Sequence, residues 1–447
     1  MSDAKDETDK SNNKQKKEGK KRPFDFSLHP KRHVALRLAY LGWDYQGFAV
    51  QENTDNTVEA RLFEALLKTR LIQDRQSSNY HRCGRTDKGV SAFSQVISID
   101  LRSNQFCGGL GVIVPENVDV ATAKDKVAIP ELPYVKMLNR VLPPDIRVLD
   151  WSPAAVGFSA RFDCQSRTYR YYFPRGCLDV DLMAEAAKRY EGTHDFRNLC
   201  KMDVGNGVLQ FERTILSASV RPAKPQSANN ADPYELFIFE IKGLAFLYHQ
   251  VRCMMAVLLL IGQKLEDPNI IDQLMDVTKN PRKPQYKLDI FYTIAIFCCY
   301  FLLIIIFCTF SSMAVDYPLV LFDCHFDGLS WTQEKEEVSY TLATLQQHWT
   351  QSAVRASVLF GMLQDLEAKG AEPPNHCLLL EGSRQKNYKP LLERPCCESL
   401  ESRITHFVKR GRLEREGENG DETVYKGKRS KHSHNSSSSS TDSGNKS

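Results

Sequence analysis

The feature that most constrains the fold of this 447-residue chain is an apolar run over residues 290–310, which contains no charged side chain. A run of this length can cross a lipid bilayer as a helix. If it did, the residues before it and after it would lie on opposite sides of a membrane. The chain is therefore either a membrane protein or a globular protein that the run interrupts, and the flanking residues decide between the two.

Composition narrows the class of protein. Hydrophobic residues make up 42% of the chain, enough to fill the core of one large domain or two smaller ones. The net charge is only +4, from 59 Lys and Arg against 55 Asp and Glu, so a basic groove for nucleic acid has to be local. The 13 cysteines form no ladder of Cys-x-x-Cys or paired-His motifs. This argues against a zinc module or a disulfide scaffold and favours reduced thiols in the nucleus or cytosol.

Both ends of the sequence are polar. Residues 1–30 are rich in Lys, Asp, Asn and Ser, and residues 413–447 are rich in Lys and Ser, so we predict two disordered tails. No apolar segment follows the charged start, and a secretory signal is not expected. Basic runs at residues 14–22 and 426–431 are candidate nuclear localisation signals. A phosphate-attracting arm and a solvated tail are alternatives for the first run.

Periodicity predicts alternating strands and helices. Residues 33–40 alternate apolar and polar side chains as a strand does, and residues 97–101 repeat the pattern. Between them, Val58, Leu62 and Leu66 mark an amphipathic helix. Asn56, followed three residues later by Glu59, predicts a capping box at its start. The order of elements indicates an α+β fold, and it does not by itself give the topology.

Residues 80–93 read as a catalytic loop between these elements. Gly84 and Gly89 allow a sharp turn that projects Asp87 toward a ligand. Three cations near Asp87 favour its ionised form and offer contacts to a polynucleotide backbone: Arg82, Arg85 and Lys88. An ordinary Asp-Lys-Gly turn with solvated basic residues is the alternative.

Residues 84–92 resemble the signature of the TruA family of tRNA pseudouridine synthases, and they read Gly84-Arg85-Thr86-Asp87-Lys88-Gly89-Val90-Ser91-Ala92. The residues at its variable positions and at 95–98 resemble those of the eukaryotic enzymes that modify uridines 38 and 39 of the anticodon stem-loop. Two further family motifs follow at residues 158–171 and 246–252. The resemblance covers most of residues 33–286 and returns at about 313–325.

The resemblance implies two ferredoxin-like halves that share a central, mainly antiparallel sheet, with a catalytic cleft between them. The N-terminal half would span residues 31–150 and the C-terminal half residues 151–326. Residues 327–412 resemble the C-terminal extension of the eukaryotic enzymes. Support of RNA and wrapping of the core both remain open as its role.

The resemblance also assigns roles. Asp87 would be the nucleophile that converts uridine to pseudouridine, with Arg252 as its ion-pair partner. Tyr169 would contact the target base, and Arg85 would support the strand that the flipped base leaves behind. Read from the residues alone, Tyr169 belongs to a strand rich in Tyr, and Arg252 is a surface arginine of a helix.

Substrate and partners follow from the same resemblance. The substrate would be tRNA, bound at its anticodon stem-loop, and the enzyme would be a homodimer in the nucleus, with the cytoplasm as a second location. No cofactor or metal is expected, because isomerisation neither gains nor loses electrons. The alternative is a non-catalytic tRNA-binding protein or folding aid that uses the same cleft.

The apolar run interrupts this family-like sequence. Residues 283–286 should lead directly into residues 313–322, which are expected to form a strand of the catalytic sheet. A membrane-spanning helix would separate two flanks that have to meet in one sheet, so no functional membrane association is expected. Because the run is rich in residues with pyrimidine- or T-rich codons, we interpret residues 287–312 as translated intron or a mis-predicted exon. If present, the segment should protrude from the sheet as an apolar helix or loop.

Overall fold

One large β-sheet organises the protein. The computed structural model describes residues 24–106, 108–115, 130–224, 232–285, 313–370, 388–416 and 422–425. The strands of the sheet are β1 (Lys31–Tyr40), β2 (His81–Arg82), β3 (Ser91–Arg102), β4 (Val112–Ile113), β5 (Ile146–Pro153), β6 (Ser166–Pro174), β7 (Gly192–Asp195), β8 (Glu212–Pro222), β9 (Leu236–Gly243) and β10 (Leu319–His325). A separate hairpin pairs β11 (Leu413–Glu416) with β12 (Glu422–Tyr425).

Helices accompany both halves of the sheet. They are α1 (Val58–Lys68), α2 (Tyr134–Asn139), α3 (Val180–Lys188), α4 (Gln250–Gly262), α5 (Ile270–Met275), α6 (Lys335–Ala368) and α7 (Leu400–Lys409). The strand order is β4-β1-β3-β10-β6-β9-β8-β7, with β2 on β3 and β5 on β1. Every pairing is antiparallel except that of β10 with β3. The predicted α+β class with a mainly antiparallel sheet is confirmed.

Strand β10 joins the two halves. On one side it runs parallel to β3, with Val320 opposite Ser91 and Leu321 opposite Ala92. On the other side it runs antiparallel to β6, where Leu321 lies opposite Tyr169. The prediction that the residues after the apolar run form a strand of the central sheet is therefore confirmed. Strand β5 stays paired with β1 through Pro153, and the division of the chain into halves at residue 150 stays a prediction.

Helix α1 is amphipathic as predicted, but the predicted capping box does not form. Thr57 caps the helix by accepting a hydrogen bond from the amide of Ala60. Glu59 is instead fully buried, where its carboxylate accepts from Arg82 at 2.5 Å, from Arg75 at 2.9 Å and from the amide of Val50 at 2.8 Å. These donors lower the pKa of Glu59 in spite of its burial. The capping prediction was wrong because a buried carboxylate needs more partners than one helix end supplies.

The C-terminal extension packs on the core. The amide of Gln285 donates to the carbonyl of Pro395 at 2.8 Å, and Arg403 donates to the carbonyl of Met202 at 2.9 Å. Leu413 is buried at the start of β11, so the predicted disorder from residue 413 is wrong for the β11–β12 hairpin. Wrapping of the core is thus a role of this extension. Residues 1–23 and 426–447, which include both basic runs, lie outside the described residues.

The whole of the predicted insertion, residues 287–312, also lies outside the described residues, which resume at Met313 after Gln285. Its expected appearance as a protruding apolar helix or loop therefore stays a prediction. Among the helices that the structure describes, none is both long and apolar enough to cross a membrane. Both flanks contact the core, Gln285 through Pro395 and Ala314 through the main chain of Arg252.

We predict that deleting residues 287–312 leaves a folded protein. The melting temperature should stay within about 2 °C of that of the full chain, because both flanks are held by contacts outside the deleted segment. Calorimetry on the two chains checks this. Deleting residues 313–325, which removes β10, is the control and should abolish cooperative unfolding. A deletion of 287–312 that itself prevents folding would contradict the interpretation of this segment as an insertion.

Candidate active site

The loop between β2 and β3 is tied down on both sides of Asp87. The buried amide of Gln95 makes two hydrogen bonds to the main chain of Gly84, accepting at 3.2 Å and donating at 3.0 Å. The hydroxyls of Thr86 and Tyr40 lie 2.7 Å apart in a buried hydrogen bond. The carboxylate of Asp87 is therefore presented by a backbone whose position is fixed by the core.

The two glycines of the loop act differently. Gly89 has a φ of +76°, which favours glycine, and an added Cβ would lie 3.0 Å from the carboxyl group of Asp316. Gly84 does not adopt this left-handed conformation. The prediction of a special backbone angle is thus confirmed for Gly89 and wrong for Gly84. A Cβ on Gly84 would make only ordinary contacts, the nearest being Leu321 at 3.9 Å and the hydroxyl of Tyr169 at 4.0 Å, so the loop lies directly beside β6 at this point.

The ring of Tyr169 lies on the β6 side of this loop. It is nearly buried and meets the ring of Phe246 edge-on, with the centroids 5.0 Å apart. Burial, together with the nearby thiol of Cys324 and other neighbours that include Asp87, raises the pKa of Tyr169, so its hydroxyl stays protonated. The structure thus brings the predicted base-contacting tyrosine beside the loop that carries Asp87.

Arg252 lies in the first turn of α4 and is buried. Its Nε donates to the carbonyl oxygen of Ala314 at 2.8 Å, and its Nη2 lies 4.0 Å from Oδ2 of Asp316. Among the described residues, the ion pair of Arg252 is with Asp316, and no direct fork onto Asp87 forms. The predicted bidentate geometry is therefore not present, because Ala314 and Asp316 already engage the guanidinium. Its positive charge still lowers the pKa of Asp87.

His249 is a neighbour of Asp87 that the sequence did not reveal. Its Nε2 lies 3.5 Å from Oδ2 of Asp87, and its backbone is left-handed, with a φ of +60°. Burial, followed by the charges of Arg252, Lys201 and Lys283, lowers its pKa to about 3. The imidazole is therefore neutral near pH 7. The left-handed bend before α4 aims it at the loop, and periodicity gives no sign of such a bend.

Burial dominates the electrostatics of Asp87 and raises its pKa to about 6. Asp316 adds to this rise, while Arg252 and Lys201 oppose it. The prediction that the loop's own cations keep Asp87 ionised was wrong, because Arg82 binds Glu59 and both Arg85 and Lys88 are exposed. A carboxylate with a pKa near 6 is largely ionised at neutral pH and more basic than a free aspartate, which suits a nucleophile.

Comparison with known proteins shows which family the chain resembles. A sequence profile described as tRNA pseudouridine synthase matches residues 186–288. The human tRNA pseudouridine(38/39) synthase is 51% identical over 416 residues, which cover 88% of this chain and 80% of the human protein. A probable tRNA pseudouridine synthase of Caenorhabditis elegans is 34% identical over 91% of this chain and 96% of its own length. The tRNA pseudouridine(38/39) synthase of Saccharomyces cerevisiae is 38% identical, over 74% and 66% respectively.

The chain belongs to the tRNA pseudouridine synthase family. Enzymes of this family are isomerases, which convert uridine to pseudouridine in tRNA. The resemblance read from residues 84–92 is confirmed at the level of the family and of its α+β fold. The roles of Asp87, Arg252, Tyr169 and Arg85 stay predictions, now with a defined geometry.

Arg85 belongs to a basic and aromatic surface of this tRNA pseudouridine synthase. Partial desolvation, followed by the positive charges of Arg82 and Arg161, lowers the pKa of Arg85. The guanidinium of Arg161 lies 5.2 Å from the ring centroid of Phe162, a side chain that is 74% exposed. Clustered guanidinium groups beside an exposed ring are suited to phosphates and unstacked bases. This is a local basic surface of the kind that the low net charge requires.

The pKa of Asp87 predicts the pH dependence of the enzyme. Because the nucleophile must be ionised, kcat/KM should fall as the pH drops through about 6. Asp316→Asn removes a negative charge that raises this pKa. The acid limb of the plot of kcat/KM against pH should therefore move to lower pH in this variant. Pseudouridine formation measured between pH 4.5 and 8 checks this.

Asp323→Asn on β10 is the matched control, because Asp323 is not among the groups that shift the pKa of Asp87. Its acid limb should coincide with that of the unmodified enzyme. An acid limb that stays in place in Asp316→Asn, or that moves equally in both variants, would contradict the assigned electrostatics.

Proposed function

We propose that this enzyme isomerises uridines 38 and 39 in the anticodon stem-loop of tRNA, with Asp87 as the nucleophile. The observation that carries the proposal is a partly buried carboxylate with a raised pKa, held by a fixed loop beside Tyr169 and within the field of Arg252. The choice of positions rests on the 51% identity to the human tRNA pseudouridine(38/39) synthase.

Binding starts at the phosphates. The surface of Arg85 and Arg161 attracts the RNA backbone, and contacts to phosphates fix its register without reading the bases. The target uridine then leaves its stack and enters the space between the loop and β6. The Tyr169 ring replaces the lost stacking, and Arg85 supports the strand at the position that the base has left.

The isomerisation needs one nucleophile, and it leaves the number of atoms and electrons in the nucleotide unchanged. The carboxylate of Asp87 attacks the nucleotide, the bond between N1 and C1′ breaks, and the uracil rotates. A bond forms between C5 and C1′ as the bond between Asp87 and the nucleotide breaks, C5 loses its proton, and N1 gains one. Neutral His249 lies on the side of Oδ2 of Asp87 and leaves Oδ1 for the attack. Arg252 favours the ionised carboxylate from outside hydrogen-bonding distance.

A binding protein without catalysis is less well supported. A negatively charged carboxylate adds nothing to the attraction for phosphate, and its partial desolvation is costly. A fold that only bound tRNA would gain from an uncharged residue at position 87. The retention of Asp87 inside the intact signature therefore favours the enzyme.

The test of the proposed function is Asp87→Asn, which keeps the shape of the side chain and removes its charge. Pseudouridine formation at positions 38 and 39 should fall by at least about a thousandfold, because the nucleophile is lost. Affinity for the RNA should change by less than about twofold, since no phosphate contact is removed. Chemical mapping of pseudouridine in an anticodon stem-loop, together with filter binding, measures both.

Asp323→Asn again serves as the control for the loss of one carboxylate. Stem-loops that carry cytidine at position 38 or at position 39 separate the two sites. Substantial activity in Asp87→Asn would rule out the nucleophile, and modification only at other positions would rule out the proposed specificity.

We also propose a nuclear location, supported by the basic runs at residues 14–22 and 426–431. Deleting residues 14–22 from a fluorescently tagged chain should lower the nuclear signal. An equal distribution of the tagged protein before and after the deletion would show that this run is not a nuclear localisation signal. As its assembly state we propose a homodimer, which the family resemblance implies.

A further inference from the structure

Three cysteine side chains meet beside the loop of Asp87, and the reaction proposed above uses none of them. Cys83 directly precedes the signature residues, Cys164 lies just before β6, and Cys324 belongs to β10. Sγ of Cys83 lies 3.3 Å from Sγ of Cys324, and both side chains are buried. Cys164 is only partly buried. We call these three residues the thiol cluster.

The central sheet assembles the thiol cluster from three distant parts of the chain. The amide of Cys83 donates to the carbonyl of Val96 on β3 at 2.8 Å. Cys324 lies opposite Arg167 in the pairing of β10 with β6. Nη2 of Arg167 in turn donates to the carbonyl of Cys83 at 3.0 Å. These contacts hold the sulfur atoms near one another in the folded protein.

The three thiols differ in acidity. Hydrogen bonds from Cys324 and Cys83 lower the pKa of Cys164, and the positive charge of Arg167 acts in the same direction. Hydrogen bonds to Cys164 raise the pKa values of Cys83 and Cys324. In its protonated form Cys164 donates instead to the carbonyl of Ser166 at 3.4 Å. The thiolate of the cluster therefore forms on the member that solvent reaches, and a thiolate is the form that reacts with oxidants.

The thiol cluster also borders the groups that position Asp87. Burial is the main cause of the raised pKa values of Tyr169 and Tyr40, and the buried pair of the cluster contributes to both. Tyr40 holds Thr86, the residue before Asp87, by a hydrogen bond of 2.7 Å. A disulfide is about 2 Å long, which is shorter than the separation of the buried pair. Its formation would pull the start of the loop toward β10.

We propose that the thiol cluster is a site of oxidation by hydroperoxides, which ends in a disulfide between Cys83 and Cys324 and reversibly stops pseudouridine formation. Cys164 is the point of entry, because it alone in the cluster combines partial exposure with a stabilised thiolate. The buried pair then receives the disulfide by exchange.

The first step consumes the hydroperoxide. The thiolate of Cys164 attacks one oxygen, the O–O bond breaks, and Cys164 becomes a sulfenic acid while the other oxygen leaves and takes up a proton as an alcohol or water. The thiol of Cys324 attacks the sulfenic sulfur. Its proton leaves with the hydroxide as water, and a disulfide joins Cys164 to Cys324.

The second step moves the disulfide inward. Cys83 attacks Sγ of Cys324 from 3.3 Å, and the proton of Cys83 passes to Cys164, which leaves. Exchange favours this direction, because the thiol with the lowest pKa is the best leaving group. In total, two thiols lose two electrons, and the hydroperoxide is reduced to water and either an alcohol or a second water.

This proposal goes beyond the proposed function and does not depend on the role of Asp87 or on the choice of uridines. The disulfide is identified from the masses of its peptides, whether or not the enzyme is active. Pseudouridine formation is measured on total tRNA, so a wrong assignment of positions 38 and 39 would leave this test intact.

The test compares the full chain with three variants, each reduced, desalted and then exposed to hydrogen peroxide. Cys164→Ser removes the sulfur that reacts first, and Cys83→Ala removes the sulfur that reacts last. Cys177→Ser is the matched control, because Cys177 is an exposed cysteine outside the thiol cluster. Mass spectrometry after alkylation of the remaining thiols identifies the disulfide. Activity is measured before and after treatment with dithiothreitol.

In the unmodified chain and in Cys177→Ser, hydrogen peroxide should join the peptides of Cys83 and Cys324. It should lower pseudouridine formation at least about tenfold, and dithiothreitol should restore it. Cys164→Ser should lose activity at least about tenfold more slowly, because its reactive thiolate is absent. Cys83→Ala should instead accumulate the disulfide between Cys164 and Cys324, which keeps the test decisive if Cys164→Ser does not fold.

Three results would overturn the proposal: no disulfide within the thiol cluster, full activity of the chain that carries it, or equally fast inactivation of Cys164→Ser. A loss of activity that dithiothreitol does not reverse would do so as well.

Discussion

The parallel pairing of β10 with β3 is the constraint on which the site depends. The signature loop enters the sheet through β3, whereas Tyr169 belongs to β6 and Arg252 to α4. Among the described strands, only β10 pairs with both β3 and β6, since its Leu321 lies opposite Ala92 on one side and opposite Tyr169 on the other. The residues just before β10 supply Asp316 and the carbonyl of Ala314, which engage Arg252. One short strand thus closes the sheet and also brings together the groups that surround Asp87.

Asp87 shows how burial and charge are balanced at such a site. Desolvation alone would favour a neutral carboxyl group, and a second carboxylate, Asp316, acts in the same direction. Arg252 and Lys201 oppose both effects without forming an ion pair with Asp87 among the described residues. A direct fork would bind the oxygens that have to attack and would lower their basicity. Holding the cation at a distance keeps the carboxylate ionised and leaves it free to react.

The sequence predicted those features that depend on local pattern. The alternation of apolar and polar residues identified β1 and β3, and the signature residues located the loop of Asp87. Contacts between residues far apart in sequence were not predictable. Glu59 was expected to cap α1, but it forms ion pairs with Arg82 and Arg75. His249 lies beside Asp87 only because its own backbone is left-handed. Arg252 was expected on Asp87, yet Ala314 and Asp316, which follow the apolar run, engage it.

The late position of β10 has a consequence for synthesis. Contacts between distant parts of a chain form slowly, because a long loop has to close before they contribute. While the ribosome is still adding residues beyond β9, the edges of β3 and β6 have no strand between them. Unpaired edges of this kind can add strands from other molecules. A nascent chain that stalls within the apolar run would therefore present two hydrogen-bonding edges beside a hydrophobic segment. Such a chain is prone to aggregation, and it can complete the sheet beside Asp87 only after β10 has emerged.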